Sequence, residues 1–385
     1  MYIIKLLIKN VFRHKLRTCL TVLSVAIAIL SFGLLRTVID AWYAGVQASS
    51  ASRLVTRHAV SMILHLPISY KEKIRQIEGV KLVSYGNWFG GYYIEEKNLF
   101  ANFAIEPKIF LEQYPEYIIK PEEKAAFIRD KKAFAAGEKL VKRYGWKIGD
   151  LVTLKGTIYP GNWEFILRAI YKGRDKNTDE SQFFFHFDYL NETLKKTAPA
   201  RADQVGYYII EVTNPDFVAD ISMRIDKIFY NSIAETLTET EKAFQLGFVS
   251  MSDAIITALR LVTFIVIVII LAVVANTINM TARERIGEYS VFKTLGFGGW
   301  RIAGLIFGES LIITMIGCTV GIILTFPSAK AFAGTVGSYF PTFNVNMDTI
   351  FLDIMFSVLV GILAGVIPTY HSIKIPIADG LRRIG

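Results

Sequence analysis

Side chains able to carry out catalysis are few and scattered in this 385-residue sequence. The sequence has no G-x-x-x-x-G-K-[ST] phosphate loop, no H-E-x-x-H or C-x-x-C zinc pattern and no G-x-S-x-G nucleophile turn. The two cysteines, Cys19 and Cys318, both lie inside apolar stretches, which favours buried side chains over a disulfide framework. The five histidines are far apart in the sequence: His14, His58, His65, His186 and His371. We therefore predict no catalytic residue, no metal site and no cofactor in this chain.

A charged segment between two apolar blocks offers a different chemistry, that of binding another protein. Residues 281–296 read TARERIGEYSVFKTLG. Apolar residues recur at helical spacing and would form one face of a short helix: Ile286, Tyr289, Phe292 and Leu295. The charged residues surround that face: Arg283, Glu284, Arg285, Glu288 and Lys293. Such a helix fits a groove on a soluble partner, and the alternative is a helix resting on the inner membrane leaflet.

Polar and small residues inside the apolar blocks give two further predictions. Glu309 is an acid within a membrane-length segment, where a charge is costly and a functional role is the default interpretation. The alternative is structural packing against a polar partner on a neighbouring helix. Three glycine pairs at i, i+4 spacing predict close helix packing: Gly304 and Gly308, Gly317 and Gly321, Gly361 and Gly365.

Four apolar blocks are long enough to position these residues across a membrane. Hydrophobic residues make up 52% of the chain, and a spanning helix needs a run of ~20 mostly apolar residues. We assign the membrane spans to residues 18–40, 255–280, 301–328 and 350–370. Lys and Arg are concentrated in residues 1–17, in 281–300 and in the tail 371–385, which places these segments in the cytoplasm. The net charge of +9 therefore follows from membrane topology and does not indicate nucleic-acid binding.

The remaining segments complete the fold class. Residues 1–17 have apolar residues at helical spacing and predict an interfacial amphipathic helix, with a cytoplasmic extension of span one as the alternative. Residues 41–254 mix helix and strand patterns, among them a Ser69–Glu72 capping box and a helix over 236–252, and 329–349 form an outer loop. The predicted fold class is an α-helical membrane protein with four transmembrane helices and a mixed α+β extracytoplasmic domain between spans one and two.

The order of several segments matches one family of membrane proteins. Residues 283–288 and 293–296 are similar to an R-x-x-E-I-G and K-A-L-G signature, and the span around Glu309 is similar to a third span with the same acid and glycines. Residues 137–150 resemble a G-E-x-L-A…G-D run, and 375–382 resemble a P-x-E-A-L-R ending with Asp-Gly in place of Glu-Ala. Together these features resemble the FtsX-like permeases, which are the MacB, LolC/LolE and FtsX group of ABC transporter membrane subunits.

The resemblance implies partners and a function. It implies a non-catalytic permease subunit that pairs with a second permease, in a homodimer or a heterodimer, and with a separate cytoplasmic ABC ATPase that binds ATP and Mg. The segment that would contact this ATPase contains Arg283, Glu284, Arg285, Ile286, Gly287, Glu288, Phe292, Lys293, Leu295 and Gly296.

The expected location is the inner (cytoplasmic) membrane of a bacterial cell. The expected function is export or the extraction of lipoproteins or lipids, with a periplasmic adaptor or a lipoprotein as a further partner. The alternatives are an FtsX-like regulator of an extracytoplasmic cell-wall hydrolase and a stand-alone membrane scaffold or receptor.

Overall fold

The computed structural model describes residue 7 and residues 9–175, 178–336 and 343–378. Within them the chain forms two compact units. The helical unit contains the chain up to Asp40, Asp253–Gly334 and the part from Phe343 onward, and the outer unit contains Ala41–Ser252. Residues 379–385, which include half of the family-like ending 375–382, lie outside the described residues.

Helices and strands alternate in the outer unit, whereas the described residues of the helical unit form helices and turns. The helices in chain order are α1 (Lys15–Ala48), α2 (Tyr70–Arg75), α3 (Pro107–Gln113), α4 (Pro121–Arg129), α5 (Glu138–Tyr144), α6 (Phe187–Thr197), α7 (Val218–Ile228), α8 (Glu241–Ser250), α9 (Asp253–Glu284), α10 (Ile286–Thr294), α11 (Gly299–Val336) and α12 (Met347–Lys374). The strands are β1 (Arg53–His58), β2 (Leu66–Pro67), β3 (Val80–Trp88), β4 (Gly91–Tyr93), β5 (Asn102–Ile105), β6 (Tyr117–Ile118), β7 (Ala133–Gly137), β8 (Leu151–Gly156), β9 (Gly161–Gly173), β10 (Phe183–His186), β11 (Gln204–Val205), β12 (Tyr207–Val212) and β13 (Thr236–Thr240).

Four helical stretches are long and apolar enough to cross a membrane, which confirms the predicted fold class. They are Lys9–Ala48, Asp253–Glu284, Gly299–Ala333 and Met347–Lys374, and the mixed α+β domain lies between the first and the second. These helices extend beyond the predicted spans, because α1 continues to Ala48 and α11 continues to Val336. Part of the predicted outer loop 329–349 is therefore helical.

The segment before span one differs from the predicted flat helix. Its described residues pass through a single 3-10 turn at Phe12–His14 and continue into α1, so that residues 9–48 form one helical stretch. Val11 is 2% exposed and packs in the core of the helical unit, and Leu7 lies against Gly308. These apolar side chains contact other helices of the same chain, which favours an extension of span one for the described part. Residues 1–6 and Ile8 lie outside the described residues.

The outer unit is built on one mixed 11-stranded sheet. Its order is β13-β1-β12-β3-β5-β10-β7-β9-β8-β4, with β6 paired to β9. The pairs β5–β10 and β7–β9 are parallel, and the other named pairs are antiparallel. Successive side chains of a strand point to opposite faces, so Phe183 and Phe185 of β10 pack in one apolar cluster and Phe184 packs in another. The sheet is therefore covered by apolar side chains on both faces.

Two local predictions for the outer unit are wrong. Ser69 has helical backbone angles (φ −64°, ψ −17°) and its side chain makes no capping bond, so the Ser69–Glu72 pattern does not form a capping box. Residues 236–240 form strand β13, which pairs with β1, and the helix begins only at Glu241. Thr240 caps that helix, since its side-chain oxygen accepts a hydrogen bond from the Ala243 N–H at 3.0 Å.

Candidate functional site

The charged segment predicted from the sequence consists of the end of α9 and the separate helix α10. The first helix ends at Glu284, and Arg285 leaves helical geometry with φ −102° and ψ 10°. The Arg285 N–H still donates to the carbonyl oxygens of Thr281 at 3.2 Å and Ala282 at 3.3 Å. The helix is therefore interrupted at one residue, and α10 begins directly after it.

A Schellman motif ends α10 and explains the K-T-L-G pattern of residues 293–296. Gly296 has φ +83°, a left-handed conformation that glycine adopts without steric cost. The Phe297 N–H donates to the Phe292 carbonyl at 2.9 Å, and the Gly296 N–H donates to the Lys293 carbonyl at 3.1 Å. The ring centroids of Phe292 and Phe297 lie 5.5 Å apart, which is the apolar contact that accompanies this motif. Gly296 is thus a helix-ending residue.

Arg285 lies in the middle of a chain of ion pairs. Its Nη1 donates to Glu309 Oε2 at 2.9 Å, and its Nε donates to Glu288 Oε2 at 2.9 Å. Glu288 also accepts a hydrogen bond from Arg13, so the order is Arg13–Glu288–Arg285–Glu309. The side chains of Arg285 and Glu309 are 8% and 6% exposed, whereas those of Glu288 and Arg13 are 38% and 56% exposed. Glu309 thus has the charged donor that a buried acid requires, and this donor comes from the charged segment.

Two further polar contacts join the same segment to the ends of spans one and four. Arg17 donates from both terminal nitrogens to the two Glu284 carboxylate oxygens, at 2.9 Å each. Lys293 Nζ donates to three carbonyl oxygens at the end of α12, at 2.8–3.1 Å: those of Ser372, Ile373 and Ile375. The last carbonyl groups of a helix lack intrahelical partners, so Lys293 caps α12.

Burial and pairing have opposite effects on the charged groups outside the spans. Burial raises the pKa of Glu288, but the hydrogen bonds from Arg13 and Arg285 outweigh it and hold that pKa below its ordinary value of 4.5. Burial lowers the pKa of Arg285, but Tyr289, Glu288 and Glu309 together raise it above its ordinary value. Both side chains are therefore charged at neutral pH.

The apolar residues of the charged segment divide into a buried set and an exposed set. Ile286 and Tyr289 are 6% and 2% exposed, so the predicted docking face is wrong for these two residues, because both are buried within the chain. Phe292 is half-buried. The large apolar side chains that remain exposed surround the turn after α10, and we call them the apolar tip: Val291 (40% exposed), Leu295 (69%), Phe297 (38%) and Trp300 (89%).

Three residues of the apolar tip were not predicted from the sequence, namely Val291 and the two aromatic residues. Phe297 and Trp300 flank the Gly298–Gly299 pair, beyond the end of the family-like signature. The signal that could have identified them is a pair of aromatic residues in a segment assigned to the cytoplasm. Of the remaining predicted residues, Arg283 is exposed and Gly287 is half-buried.

Most of the predicted packing glycines lie where two helices are in close contact. A Cβ atom at Gly317 would lie 2.5 Å from Val25, and one at Gly321 would lie 2.7 Å from Ile29. The other contacts join Gly308 to Leu7, Gly361 to Thr314 and Gly365 to Phe307. No described residue lies within 4 Å of a Cβ atom built at Gly304, so this glycine makes no such contact here, and its predicted packing, in a bundle or a dimer, stays a prediction.

Comparisons with known proteins identify the class to which this arrangement corresponds. Residues 260–377, which contain the charged segment and the last two spans, match the family described as FtsX-like permease C-terminal. An uncharacterized ABC transporter permease of Methanocaldococcus jannaschii is 24% identical over 326 residues, covering 80% of this chain and 77% of the relative.

Solved structures similar to this chain cover about half of it. The extracellular domain of the ABC-type transporter YknZ from Gram-positive bacteria has a TM-score of 0.36 at 9% identity, covering 49% of this chain and 100% of that domain. The periplasmic region of MacB from Actinobacillus actinomycetemcomitans has a TM-score of 0.38 at 7% identity, covering 53% of this chain and 95% of that region.

The sequence matches confirm the predicted resemblance to FtsX-like ABC transporter permeases. Residues 260–377 are similar to the C-terminal domain of these permeases, and the four long apolar helices imply a multi-pass membrane protein. The resemblance suggests a non-catalytic membrane subunit and implies an ATPase partner and a second permease subunit.

Proposed function

We propose that the apolar tip docks on a separate cytoplasmic ABC ATPase, which binds the ATP and Mg. The chain then passes the ATP-driven motion of that ATPase to its outer domain, for export or for the extraction of lipoproteins or lipids. It resides in the cytoplasmic membrane and provides no substrate channel of its own. A periplasmic adaptor or a lipoprotein is the partner expected at the outer domain.

The observation that carries this proposal is the exposure of the apolar tip on an otherwise anchored helix. Trp300 is 89% exposed and Leu295 is 69% exposed. Clustered exposed apolar residues indicate a binding surface, and tryptophan is enriched among the residues that dominate interface energies. The polar contacts of Arg285 and Lys293 hold α10 in place, so the tip is presented in one orientation without a large ordering cost.

The test is retention of a purified ABC ATPase by the full-length chain in lipid nanodiscs. Trp300→Glu and Leu295→Glu should each weaken binding by roughly tenfold or more, because a central interface residue contributes ~2 kcal/mol. The matched control is Leu151→Glu, which changes an apolar residue that is 60% exposed in the outer domain. This variant should bind the ATPase as the wild type does.

The competing interpretation places the apolar tip in the inner leaflet, because Trp and Phe also favour the membrane interface. A Leu295→Cys variant distinguishes the two. Maleimide labelling at this position should be rapid in nanodiscs and should be blocked when the ATPase is added. Labelling that is slow without the ATPase, together with ATPase retention unaffected by either glutamate, would contradict the proposal.

A further inference from the structure

The polar contacts of α10 and of the two residues before it reach the ends of spans one, three and four, and span two leads directly into these residues. Span two ends at Glu284, and the single residue Arg285 joins it to α10. Span three provides Glu309, which binds Arg285. The residues before span one provide Arg13 and Arg17, which bind Glu288 and Glu284. The end of span four accepts three hydrogen bonds from Lys293. A displacement of α10 must therefore move these helix ends with it or break charged contacts.

We infer that Arg285 is a positioning residue that transmits displacement of the apolar tip to spans one and three, through the ion-pair chain Arg13–Glu288–Arg285–Glu309. This inference rests on the proposed docking of the tip on an ATPase, and it adds the route by which docking moves the spans. It also changes the role of Arg285 and Glu288, which the sequence had assigned to contact with the ATPase. Arg285 is buried and bound to the chain's own carboxylates, so it is not free to bind a partner.

The buried ion pair between Arg285 and Glu309 is difficult to break. Removing one partner from a buried ion pair leaves the other charge uncompensated, which costs far more than breaking an exposed pair. Glu309 and Arg285 are both buried and 2.9 Å apart, so span three stays with α10. The Glu288–Arg13 pair is at the surface and can open and close more easily. Within the ion-pair chain, span one is thus attached to α10 less firmly than span three.

The geometry also explains why arginine is required at residue 285. Two carboxylates on different helices are bound by different nitrogens of one guanidinium, Nε to Glu288 and Nη1 to Glu309. A lysine ammonium carries a similar charge but is a single point that cannot present this planar fork. Arg285→Lys should therefore keep the bundle folded, since the charge of Glu309 is still compensated, and should lose one of the two connections.

The experiment uses the full-length chain in nanodiscs with its ATPase and measures binding and transmission separately. Transmission is followed by spin labels at Leu16→Cys, before span one, and Thr294→Cys, at the end of α10, with Cys19 and Cys318 replaced by serine. Both labelled residues are exposed. In the otherwise wild-type chain we expect the distance between the labels to stay constant when ATP binds. In Arg285→Lys and in Arg13→Glu we expect it to change.

The same variants should change turnover rather than affinity. We expect the ATPase to bind within about twofold of wild type, whereas stimulation of its kcat by the permease falls by roughly 5- to 150-fold, the usual range of coupling between sites. The conservative variant Arg13→Lys keeps a positive charge that can pair with Glu288 and should retain most of the stimulation. Arg13 is exposed, so Arg13→Glu tests the inference even if Arg285→Lys fails to fold.

The outcomes distinguish this inference from the proposed function. A wild-type chain that holds no ATPase overturns both. Wild type and variants that bind the ATPase equally, with full stimulation and an unchanged label distance, overturn only the role of Arg285. Variants that lose affinity and stimulation together would place Arg285 in docking and also overturn it. A loss of stimulation in Arg13→Lys as large as that in Arg13→Glu would show that the Arg13–Glu288 pair does not carry the transmission, and would overturn the inference.

Discussion

The outer unit and the helical unit are packed with different kinds of side chain. The largest fully buried side chains all belong to the outer unit and are mainly aromatic, among them Phe165, Phe183 and Tyr208. The core of the helical unit is made of smaller residues, such as Val25, Ile29 and Val274, and its helices come into close contact at Gly317 and Gly321. The two units belong to one chain but are stabilised by different interactions.

The difference follows from the solvent around each unit. In water, burying a large aromatic side chain removes much apolar surface and stabilises the fold. In lipid, an apolar side chain gains little by moving from the bilayer to a helix interface, so association depends on close contact and on polar bonds. The helical unit shows such bonds, since Ser310 Oγ donates to the Gly361 carbonyl at 2.7 Å and Ser357 Oγ donates to the Thr314 carbonyl at 2.9 Å. We therefore expect the same aromatic truncation to lower the stability of the two units by different amounts.

The largest effect is expected for an aromatic truncation in the outer unit. Phe165 is 0% exposed and contacts Phe89, Phe183 and Phe185. Phe165→Ala should lower the free energy of unfolding of the outer unit by roughly 3–5 kcal/mol, because it removes the buried surface and leaves a cavity. The measurement is denaturant unfolding of the full-length chain, followed by tryptophan fluorescence.

The matched control for this truncation lies on a span. Phe264 is 63% exposed on the surface of α9 that would face lipid. Phe264→Ala should change the stability of the helical unit by less than about 0.5 kcal/mol, as is usual for surface substitutions. Equal losses for the two variants would remove the basis of the comparison, since lipid-facing and core aromatic residues would then be equivalent.

An intermediate effect is expected when a methyl group is added at a helix contact. Gly317→Ala places a Cβ atom 2.5 Å from Val25, so span one or span three must shift, at a cost of roughly 1–3 kcal/mol for overpacking. The control is Gly304→Ala on the same helix, where no described residue lies within 4 Å. The thermal midpoint of the helical unit in nanodiscs should fall for the first variant only. A similar fall for both would show that glycine flexibility, and not close contact, is what matters.

Patterns within one segment allowed much of this architecture to be predicted from the sequence. The membrane spans follow from continuous apolar runs. The end of α10 at Gly296 also depends on local chemistry, because only a residue tolerant of positive φ ends a helix in this way, although the sequence had assigned this glycine to contact with the ATPase.

Features that depend on distant residues were not predictable in the same way. The partner of Glu309 is Arg285, 24 residues earlier in the chain, and the pair forms only because α10 folds back on span three. The burial of Ile286 and Tyr289 was missed for a similar reason, since helical spacing identifies an apolar face but not whether the chain covers it. Strand β13 was mistaken for helix because its pairing with β1 overrides the local preference.

The smallest expected effect is that of lowering the pH, which should change the stability of the two units over different pH ranges. His186 is buried in the outer unit and donates from Nε2 to the Phe127 carbonyl at 2.7 Å. Burial lowers its pKa below the ordinary 6.5 more than that hydrogen bond and the charges of Asp188 and Asp130 raise it. The unfolded chain therefore binds a proton more readily, so the stability from neutral His186 is complete above pH 6.5 and is lost as the pH falls through the folded pKa.

The ion pairs of the helical unit should respond in a lower pH window. The pKa of Glu288 lies below 4.5, so its contribution is present above pH 4.5 and is lost only as the pH falls through the folded value. Between pH 7 and pH 5 the thermal midpoint of the outer unit should therefore fall while the Arg13–Glu288 pair persists.

Glu106 acts in the opposite direction within the outer unit, because burial raises its pKa. The measurement is consequently the difference between wild type and His186→Gln, which should lose less stability than wild type over this interval. An identical pH dependence in the two proteins would show that His186 does not sense acid and that the units differ in packing alone.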